Sequence, residues 1–225
     1  MANLDFLIGE FQESALPGLT PREIALPDVP RKATVIIGVR RAGKTFLLFQ
    51  EIQRLLAAGI DRRDMLYANF EDDRLQPAGP DLLAGLLETF YRFNPAARRR
   101  TAYLFLDEIQ MVPGWPRFVR RVLDTENVRV YLTGSSAKLL HAEVATELRG
   151  RGLAVEVFPF SFSESNAAGG IASPATMPPG PKLRSQLERR LLSYLDVGGF
   201  PEVQSMPLTG PCRPATRSTP PGESR

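Results

Sequence analysis

One glycine-containing stretch constrains the fold of this chain more than any other feature. Residues 38–45 read Gly-Val-Arg-Arg-Ala-Gly-Lys-Thr, which is glycine, four variable residues, glycine, lysine and a hydroxyl residue. A β-rich apolar run (33–37) precedes the stretch, and apolar residues at helical spacing follow it until Gly59. The sequence therefore predicts a strand, a glycine loop and a helix in that order, which is the arrangement that a phosphate-binding loop requires.

The chemistry of phosphate binding explains these residue types. Glycines let the backbone turn its N–H groups toward a phosphate, and the first turn of the helix adds unpaired donors and a positive dipole end. We expect Lys44 to reach the β- and γ-phosphates and the Thr45 hydroxyl to ligate Mg²⁺. The predicted nucleotide-binding residues are Gly38, Arg40, Arg41, Ala42, Gly43, Lys44, Thr45 and Phe46.

A second motif supplies two adjacent carboxylates. The apolar residues 103–106 run directly into Asp107 and Glu108. At the carboxyl end of a buried strand, Asp107 is expected to be the second protein ligand of Mg²⁺. Glu108 is expected to be the general base that activates water against the γ-phosphate. The pair therefore predicts hydrolysis of the nucleotide as well as its binding.

The remaining apolar runs alternate between strand and helix patterns. Strands are predicted at 33–37, 65–70, 103–106, 128–133 and 153–158, and helices at 45–58, 80–93, 115–123, 137–148 and 181–195. This alternation predicts an α/β fold of the P-loop NTPase type, with three layers (α/β/α) and a five-stranded, mainly parallel sheet. Ligands of such sheets bind at the carboxyl ends of the strands, where the glycine loop and the acidic pair both fall.

The polar end of the fourth predicted strand offers a further candidate. Thr133 is our first choice for a residue that senses the γ-phosphate or the attacking water, because it falls at the same edge of the sheet. Ser135 is the second choice. A serine at this position could equally cap the helix that follows, and the sequence leaves both readings open.

Composition and charge exclude several other classes of protein. At 225 residues with 43% hydrophobic content, the chain can bury one core with some accessory structure. It has no run of membrane-spanning length and no signal-peptide pattern at its start, so we expect it in the cytoplasm. Its single cysteine, Cys212, excludes an intramolecular disulfide framework. With a net charge of +3, its arginine clusters fit either a nucleic-acid partner or a solvated surface.

Six stretches together resemble a known family. They are 38–45, 67–72 (Tyr-Ala-Asn-Phe-Glu-Asp), 104–110, 132–136, 148–151 (Leu-Arg-Gly-Arg) and 198–203 (Gly-Gly-Phe-Pro-Glu-Val). In this order they are similar to the prokaryotic AAA-type ATPases related to the archaeal ATPase group, over roughly residues 4–203. The resemblance implies ATP as the nucleotide. It also implies that the acidic strand and the strand of the glycine loop flank the strand that ends at Thr133.

The resemblance further implies an arginine that acts on the γ-phosphate. Arg149 or Arg151 would serve as an arginine finger or sensor, and the alternative for each is a surface arginine that contacts a carboxylate. Glu71 is a weaker candidate for organising the site. A finger that acts between chains requires a neighbour, and the sequence leaves open whether the partner is a second copy, another protein or a nucleic acid.

Two functions follow from these observations. The first is a Mg²⁺-dependent ATPase whose coupled work the sequence does not identify. The second is an ATP-binding switch or interaction module with little turnover. Substitution of Glu108 by glutamine distinguishes them, because only the first depends on a general base.

The predicted organisation has four parts: a leader (1–30) with extended, proline-set turns, an ATPase core (31–165), a loop and helical segment (166–203) and a disordered tail (204–225). Members of the family usually continue past the Gly-Gly-Phe-Pro-Glu segment into a second domain. In this chain the residues after 206 contain five prolines and no apolar period. We therefore expect a truncated or frame-shifted member of the family.

Overall fold

Five short apolar runs pair into one parallel sheet. The computed structural model describes residues 4–134, 146, 148, 150–171 and 179–204. The strands are β1 (Ala33–Ile37), β2 (Met65–Asn69), β3 (Ala102–Asp107), β4 (Val128–Gly134) and β5 (Gly152–Glu156). They lie in the order β2-β3-β4-β1-β5, and every neighbouring pair is parallel. The order agrees with the sheet that the family resemblance implied.

Helices cover both faces of the sheet. They are α1 (Leu4–Glu13), α2 (Lys44–Ala57), α3 (Leu82–Phe93), α4 (Trp115–Thr125), α5 (Phe162–Ala168), α6 (Pro181–Val197) and α7 (Pro201–Gln204). The predicted fold class is confirmed, and most element ends lie within two residues of the predicted ones. No helix in the described residues is long and apolar enough to cross a membrane.

The alternation of side chains along each strand builds two cores. On one face, buried residues of β1, β3 and β4 pack with α1, α3 and α4. On the other face, Ile36, Phe105 and Tyr131 pack against α2, and the rings of Phe105 and Tyr131 stack with centroids 4.9 Å apart. Burial on both faces explains why these strands read as nearly continuous apolar runs. The sheet is the middle one of three layers.

Four sequence predictions need correction or fall outside the described residues. The sequence predicts no helix in the leader, but α1 occupies residues 4–13 and packs against α3 and β2. The loop predicted from residue 166 begins later, because 166–168 complete α5. The helix predicted at 137–148 and the tail after 204 lie mainly or wholly outside the described residues.

The spacing of apolar residues explains α1. Leu4, Leu7, Ile8 and Phe11 follow the helical period, and Ile8 and Phe11 are buried. The prolines that follow, from Pro17 onward, belong to a segment without regular structure that reaches β1. The leader therefore combines one packed helix with an extended strap.

Substitution of Ile8 tests whether α1 belongs to the folded core. Ile8 is 2% exposed, so we expect Ile8→Ala to lower the free energy of unfolding by about 2–4 kcal/mol, because the lost methyl groups leave a cavity. Phe6→Ala is the matched control, since Phe6 lies on the same helix and is 54% exposed. Urea denaturation measures both variants. An equal effect of the two substitutions would contradict this placement of α1.

Candidate nucleotide site

The backbone of the glycine loop adopts the conformation that its glycines allow. A side chain at Gly38 would place its Cβ 2.3 Å from the carbonyl oxygen of Val157, so only glycine fits between β1 and the chain after β5. Arg41 and Gly43 have positive φ angles of 66° and 96°, and Gly43 is the N-cap of α2. These turns curl the loop around the amino end of α2, where unpaired backbone N–H groups and the helix dipole favour an anion.

Lys44 points into this loop. Its side chain is 4% exposed, and its Nζ donates to the carbonyl oxygen of Val39 at 3.3 Å. The same Nζ lies 3.7 Å from Oε1 of Glu108. The loop therefore holds a buried ammonium group next to the carboxylate that the sequence predicts as general base.

Asp107 lies at the centre of a buried network of hydroxyl groups. Thr133 donates to its Oδ1, the hydroxyl of Tyr67 donates to its Oδ2 at 3.1 Å, and Thr45 also hydrogen-bonds the carboxylate. Burial raises the pKa of Asp107, and the three hydroxyl contacts oppose that rise. The contact between Thr45 and Asp107 brings together a hydroxyl and a carboxylate, which are oxygen ligands that suit Mg²⁺.

Glu108 is held in a strained backbone conformation. Its φ of 53° lies in the left-handed region, which costs a residue other than glycine about 1–3 kcal/mol. The backbone N–H of Glu108 donates to Oγ1 of Thr133 at 2.9 Å, and the side chain of Gln110 donates to Oε2 of Glu108 at 2.6 Å. Thr133 therefore contacts both acidic residues from the strand between β3 and β1.

The other residues predicted in the loop differ in exposure. The side chains of Arg40 and Arg41 are mostly exposed and form ion pairs with Glu71 at 3.6 Å and Glu202 at 3.2 Å. Ala42 is buried, and Phe46 is about half exposed. Ser135 and Arg149 lie outside the described residues.

The structure does not bring Arg151 to the phosphate loop of its own chain. Arg151 precedes β5, and its carbonyl oxygen accepts from the N–H of Ala33 at the amino end of β1. It is therefore separated from the loop by the length of a five-residue strand, about 17 Å. Its guanidinium contacts Asp124 at 2.6 Å. Within one chain, the surface contact with a carboxylate is the alternative that the geometry supports.

The sequence of this chain matches a known protein family. Residues 30–166 match the profile of a family described as AAA domain. This chain belongs to that AAA family.

Its relatives are longer proteins. The chain is 40% identical over 187 residues to the uncharacterized protein MJ1544 of Methanocaldococcus jannaschii. This alignment covers 81% of this chain and 38% of the relative. It is 35% identical over 170 residues to an uncharacterized protein of Haemophilus influenzae. That alignment covers 75% of this chain and 39% of the relative. The chain thus spans about two fifths of the length of these relatives.

The solved structure of C. elegans PCH-2 shares 14% identity with this AAA chain, with a TM-score of 0.42. The match covers 74% of this chain and 41% of that one. A similarity of this degree supports no conclusion about function.

Arg22, which lies outside the matched AAA range, is a site residue that the sequence did not reveal. Its guanidinium is buried and donates to the carbonyl oxygen of Ala42 in the loop at 2.9 Å and to that of Phe158 at 2.7 Å. Nε donates to Glu164 at 2.8 Å, and the group also lies over the ring of Phe160. One arginine therefore ties the phosphate loop to the chain after β5 and to α5. No local sequence pattern marks Arg22, because it lies in a segment whose apolar residues follow neither a helical nor a strand period.

The Gly-Gly-Phe-Pro-Glu segment, also beyond the matched AAA range, packs beside the loop. The carbonyl oxygen of Gly199 accepts from the N–H of Phe160 at 2.7 Å, and a Cβ at Gly199 would lie 2.2 Å from the carbonyl oxygen of Phe160. Cγ of Pro201 lies 3.7 Å from the position of a Cβ at Gly43. The sequence singled out this segment by resemblance but gave it no role.

The leader, the loop and this segment together enclose a cavity of about 340 Å³. It opens beside the amino end of α2 and is lined by Gly18, Leu19, Thr20, Arg22, Gly43, Phe46, Phe160, Ala168, Pro201, Glu202 and Gln204. Most of these residues come from outside the glycine loop, so the loop motif alone could not predict the cavity.

The Arg22–Glu164 contact predicts a dependence of stability on pH. Burial alone raises the pKa of Glu164, but hydrogen bonds from the backbone of Ser161 and Glu23 and the charge of Arg22 outweigh it, and the pKa lies below the ordinary value. Because the folded pKa is depressed, the ionised carboxylate stabilises the fold above the unfolded pKa, and this stabilisation is lost as the pH falls through the folded pKa.

We expect Glu164→Gln to lower the free energy of unfolding at pH 7 by about 1–3 kcal/mol, since it replaces a charge-assisted contact with neutral ones. The deficit should shrink as the pH falls below about 4. Denaturant titrations at pH 7 and at a pH below about 4 measure this difference in the free energy of unfolding. Glu188→Gln, which breaks an exposed ion pair with Arg184 on α6, is the control and should cost less than about 0.5 kcal/mol. A deficit that is the same at both pH values would argue against the ionic role of Glu164.

Proposed function

We propose that this AAA chain binds ATP with Mg²⁺ and hydrolyses it to ADP and phosphate. The observation that carries the proposal is the meeting of Lys44, Asp107 and Glu108 at the carboxyl edge of one sheet. Lys44 Nζ lies 3.7 Å from Glu108, and Asp107 is hydrogen-bonded to Thr45. A buried cation, a carboxylate–hydroxyl pair and a second carboxylate are the groups that phosphoryl transfer to water needs.

The loop would hold the phosphates through its backbone and Lys44. The loop turns at Arg41 and Gly43 into the amino end of α2, where backbone N–H groups would bind phosphate, and the Lys44 ammonium would exchange its contact with Val39 for phosphate oxygens. Thr45 and Asp107 would hold the Mg²⁺ ion, which neutralises charge on the phosphate oxygens when it is bound. Thr133 keeps Asp107 in place and lies where a residue could sense the γ-phosphate.

Glu108 would act as the general base. Water attacks the γ-phosphorus, its proton passes to the carboxylate of Glu108, and the bond to the β–γ bridging oxygen breaks with the electron pair leaving on ADP. Movement of Lys44 toward the phosphates would break the contact between Lys44 and Glu108 and leave the carboxylate of Glu108 able to accept the proton. The hydrogen bonds of Gln110 and Thr133 would keep Glu108 oriented for this step.

The cavity beside the loop would receive the base of the nucleotide. Its volume of about 340 Å³ falls in the range of small-molecule sites. Phe46, which is 49% exposed, and Pro201 offer apolar surfaces, and both line the cavity with Gly43 at the start of α2. The family resemblance favours adenine as that base.

An arginine finger would come from a second copy of the chain. Arg151 lies at the opposite edge from its own loop and is 39% exposed, so it can reach only a neighbour's phosphates. Arg149 remains the other candidate. Such a finger contributes about three to five orders of magnitude in rate, and turnover would then depend on assembly of a homo-oligomer.

A second function is favoured by the contacts of the Gly-Gly-Phe-Pro-Glu segment. Arg41 in the loop pairs with Glu202, and Gly199 is hydrogen-bonded to Phe160, so the loop is linked to the end of α6. Nucleotide binding could shift that link without turnover. The chain would then be an ATP-dependent switch that acts on a protein partner.

Glu108→Gln separates the two functions. For an ATPase, we expect steady-state phosphate release to fall at least about a hundredfold, because the general base is lost, while the affinity for ATP stays within about threefold. The matched control is Glu88→Gln, which makes the same chemical change at an exposed position on α3. Phosphate release and equilibrium binding of ATP are measured on all three proteins.

The other outcomes are equally informative. Tight ATP binding with negligible phosphate release by the wild type, unchanged in Glu108→Gln, would support the switch. Undiminished phosphate release in Glu108→Gln would contradict the proposed role of this residue.

A further inference from the structure

The amino ends of the five strands form one edge of the sheet, opposite to the candidate nucleotide site. Because all the strands are parallel, the residues that enter each strand meet there. We call this surface the basic edge and define it by the segments 28–32, 61–64, 98–101, 120–129 and 151. Each segment carries at least one arginine. The arginine clusters at 62–63, 98–100 and 120–121 are therefore gathered on one side of the molecule.

The basic edge carries a net positive charge that exceeds the net charge of the whole chain. Its segments contain eleven lysine and arginine residues and five acidic residues, a net charge of +6, whereas the whole chain has +3. The remainder of the chain is therefore net negative. Such an asymmetry creates a positive potential on one side of the protein and favours a polyanionic partner there.

Most of these cations are not neutralised within the fold. Three acids form ion pairs: Asp28 with Arg129, Asp64 with Arg100, and Asp124 with Arg151. In the part of the chain that the structure describes, the remaining eight cations form no ion pair: Arg31, Lys32, Arg62, Arg63, Arg98, Arg99, Arg120 and Arg121.

The width of the basic edge spans several phosphates of a nucleic-acid strand. Neighbouring strands lie about 4.8 Å apart, so the five strands spread these cations over about 19 Å. A nucleic-acid strand in a duplex carries about one phosphate per 3.4 Å of axis, or about five or six over this width. The eight cations without an ion pair outnumber these phosphates, so they are enough to contact one backbone that runs along the edge.

The rings beside the edge argue for contact with the backbone rather than with bases. Arg98 lies over the ring of Tyr91, with its guanidinium 4.4 Å from the centroid, and Arg121 lies over Phe118 at 5.3 Å. These rings are occupied by arginines and do not offer free stacking platforms. Within the segments of the edge, Val29 is the one exposed large apolar residue, which does not suit insertion into a membrane.

We propose that the basic edge binds the phosphate backbone of a nucleic acid without reading its sequence. Arginine suits this role because its planar guanidinium donates two hydrogen bonds to phosphate oxygens. The nucleic acid would lie on the side of the sheet away from the ATP site. Binding there does not require the proposed hydrolysis, and the two can be tested separately.

Charge-neutralising substitutions test this surface. The variant Arg63→Gln/Arg99→Gln/Arg121→Gln removes three exposed cations that form no ion pair among the described residues. The control Lys182→Gln/Arg184→Gln/Arg189→Gln removes the same charge from α6. Fluorescence anisotropy with labelled short duplex DNA and with a single-stranded oligonucleotide, between about 50 and 200 mM salt, measures the binding. The two probes show which form of nucleic acid the edge prefers.

We expect the edge variant to lose at least about tenfold in affinity and to show a salt dependence shallower by about two to three in the log–log slope. The control should bind like the wild type, and thermal melting and ATP binding of the edge variant should be unchanged. Three results would overturn the proposal: no binding of either probe by the wild type, equal losses in the two triple variants, or competition by polyglutamate as strong as that by duplex DNA of equal charge.

Discussion

The parallel pairing of β1 with both β4 and β5 is the constraint on which the nucleotide site depends. This pairing sets the end of β1, and therefore the start of the glycine loop, between Thr133 at the end of β4 and Val157 just after β5. β3 pairs with β4 in turn and carries Asp107 to the same edge. A shift of one residue in either pairing would turn the polar ends of the strands to the opposite face. The site is thus a consequence of sheet register more than of any single residue.

Contacts from distant parts of the chain hold the loop in shape. Arg22 reaches Ala42 from the leader, and its partner Glu164 lies on the chain after β5. Loss of the carboxylate would leave the buried guanidinium of Arg22 without its ionised partner. Pro201 and Glu202 line the cavity beside the loop together with Arg22. The candidate site therefore extends beyond the segment that matches the AAA family.

Local patterns predicted much of the fold and the centre of the site. The glycine loop and the acidic pair could be found because each is a short motif beside an apolar strand. Arg22 could not be found, because its partner Glu164 is 142 residues away and no periodic pattern links them. The apolar residues of α1 follow a helical period, but the prolines from Pro17 onward favour an extended leader and obscure this signal. The separation of Arg151 from the loop can be recognised only once the strand directions are known. The gathering of arginines at the basic edge can be recognised only from the order of all five strands.

The central claim is that the glycine loop is a competent site for Mg-ATP, and calorimetric titration tests it most directly. The wild type should bind Mg-ATP with a dissociation constant in the micromolar range, which corresponds to about −8 kcal/mol. The Lys44→Ala variant should remain folded and lose this binding, because the buried ammonium that faces Glu108 at 3.7 Å is removed. A folded wild type without measurable binding, or a Lys44→Ala variant that binds as tightly as the wild type, would contradict the account.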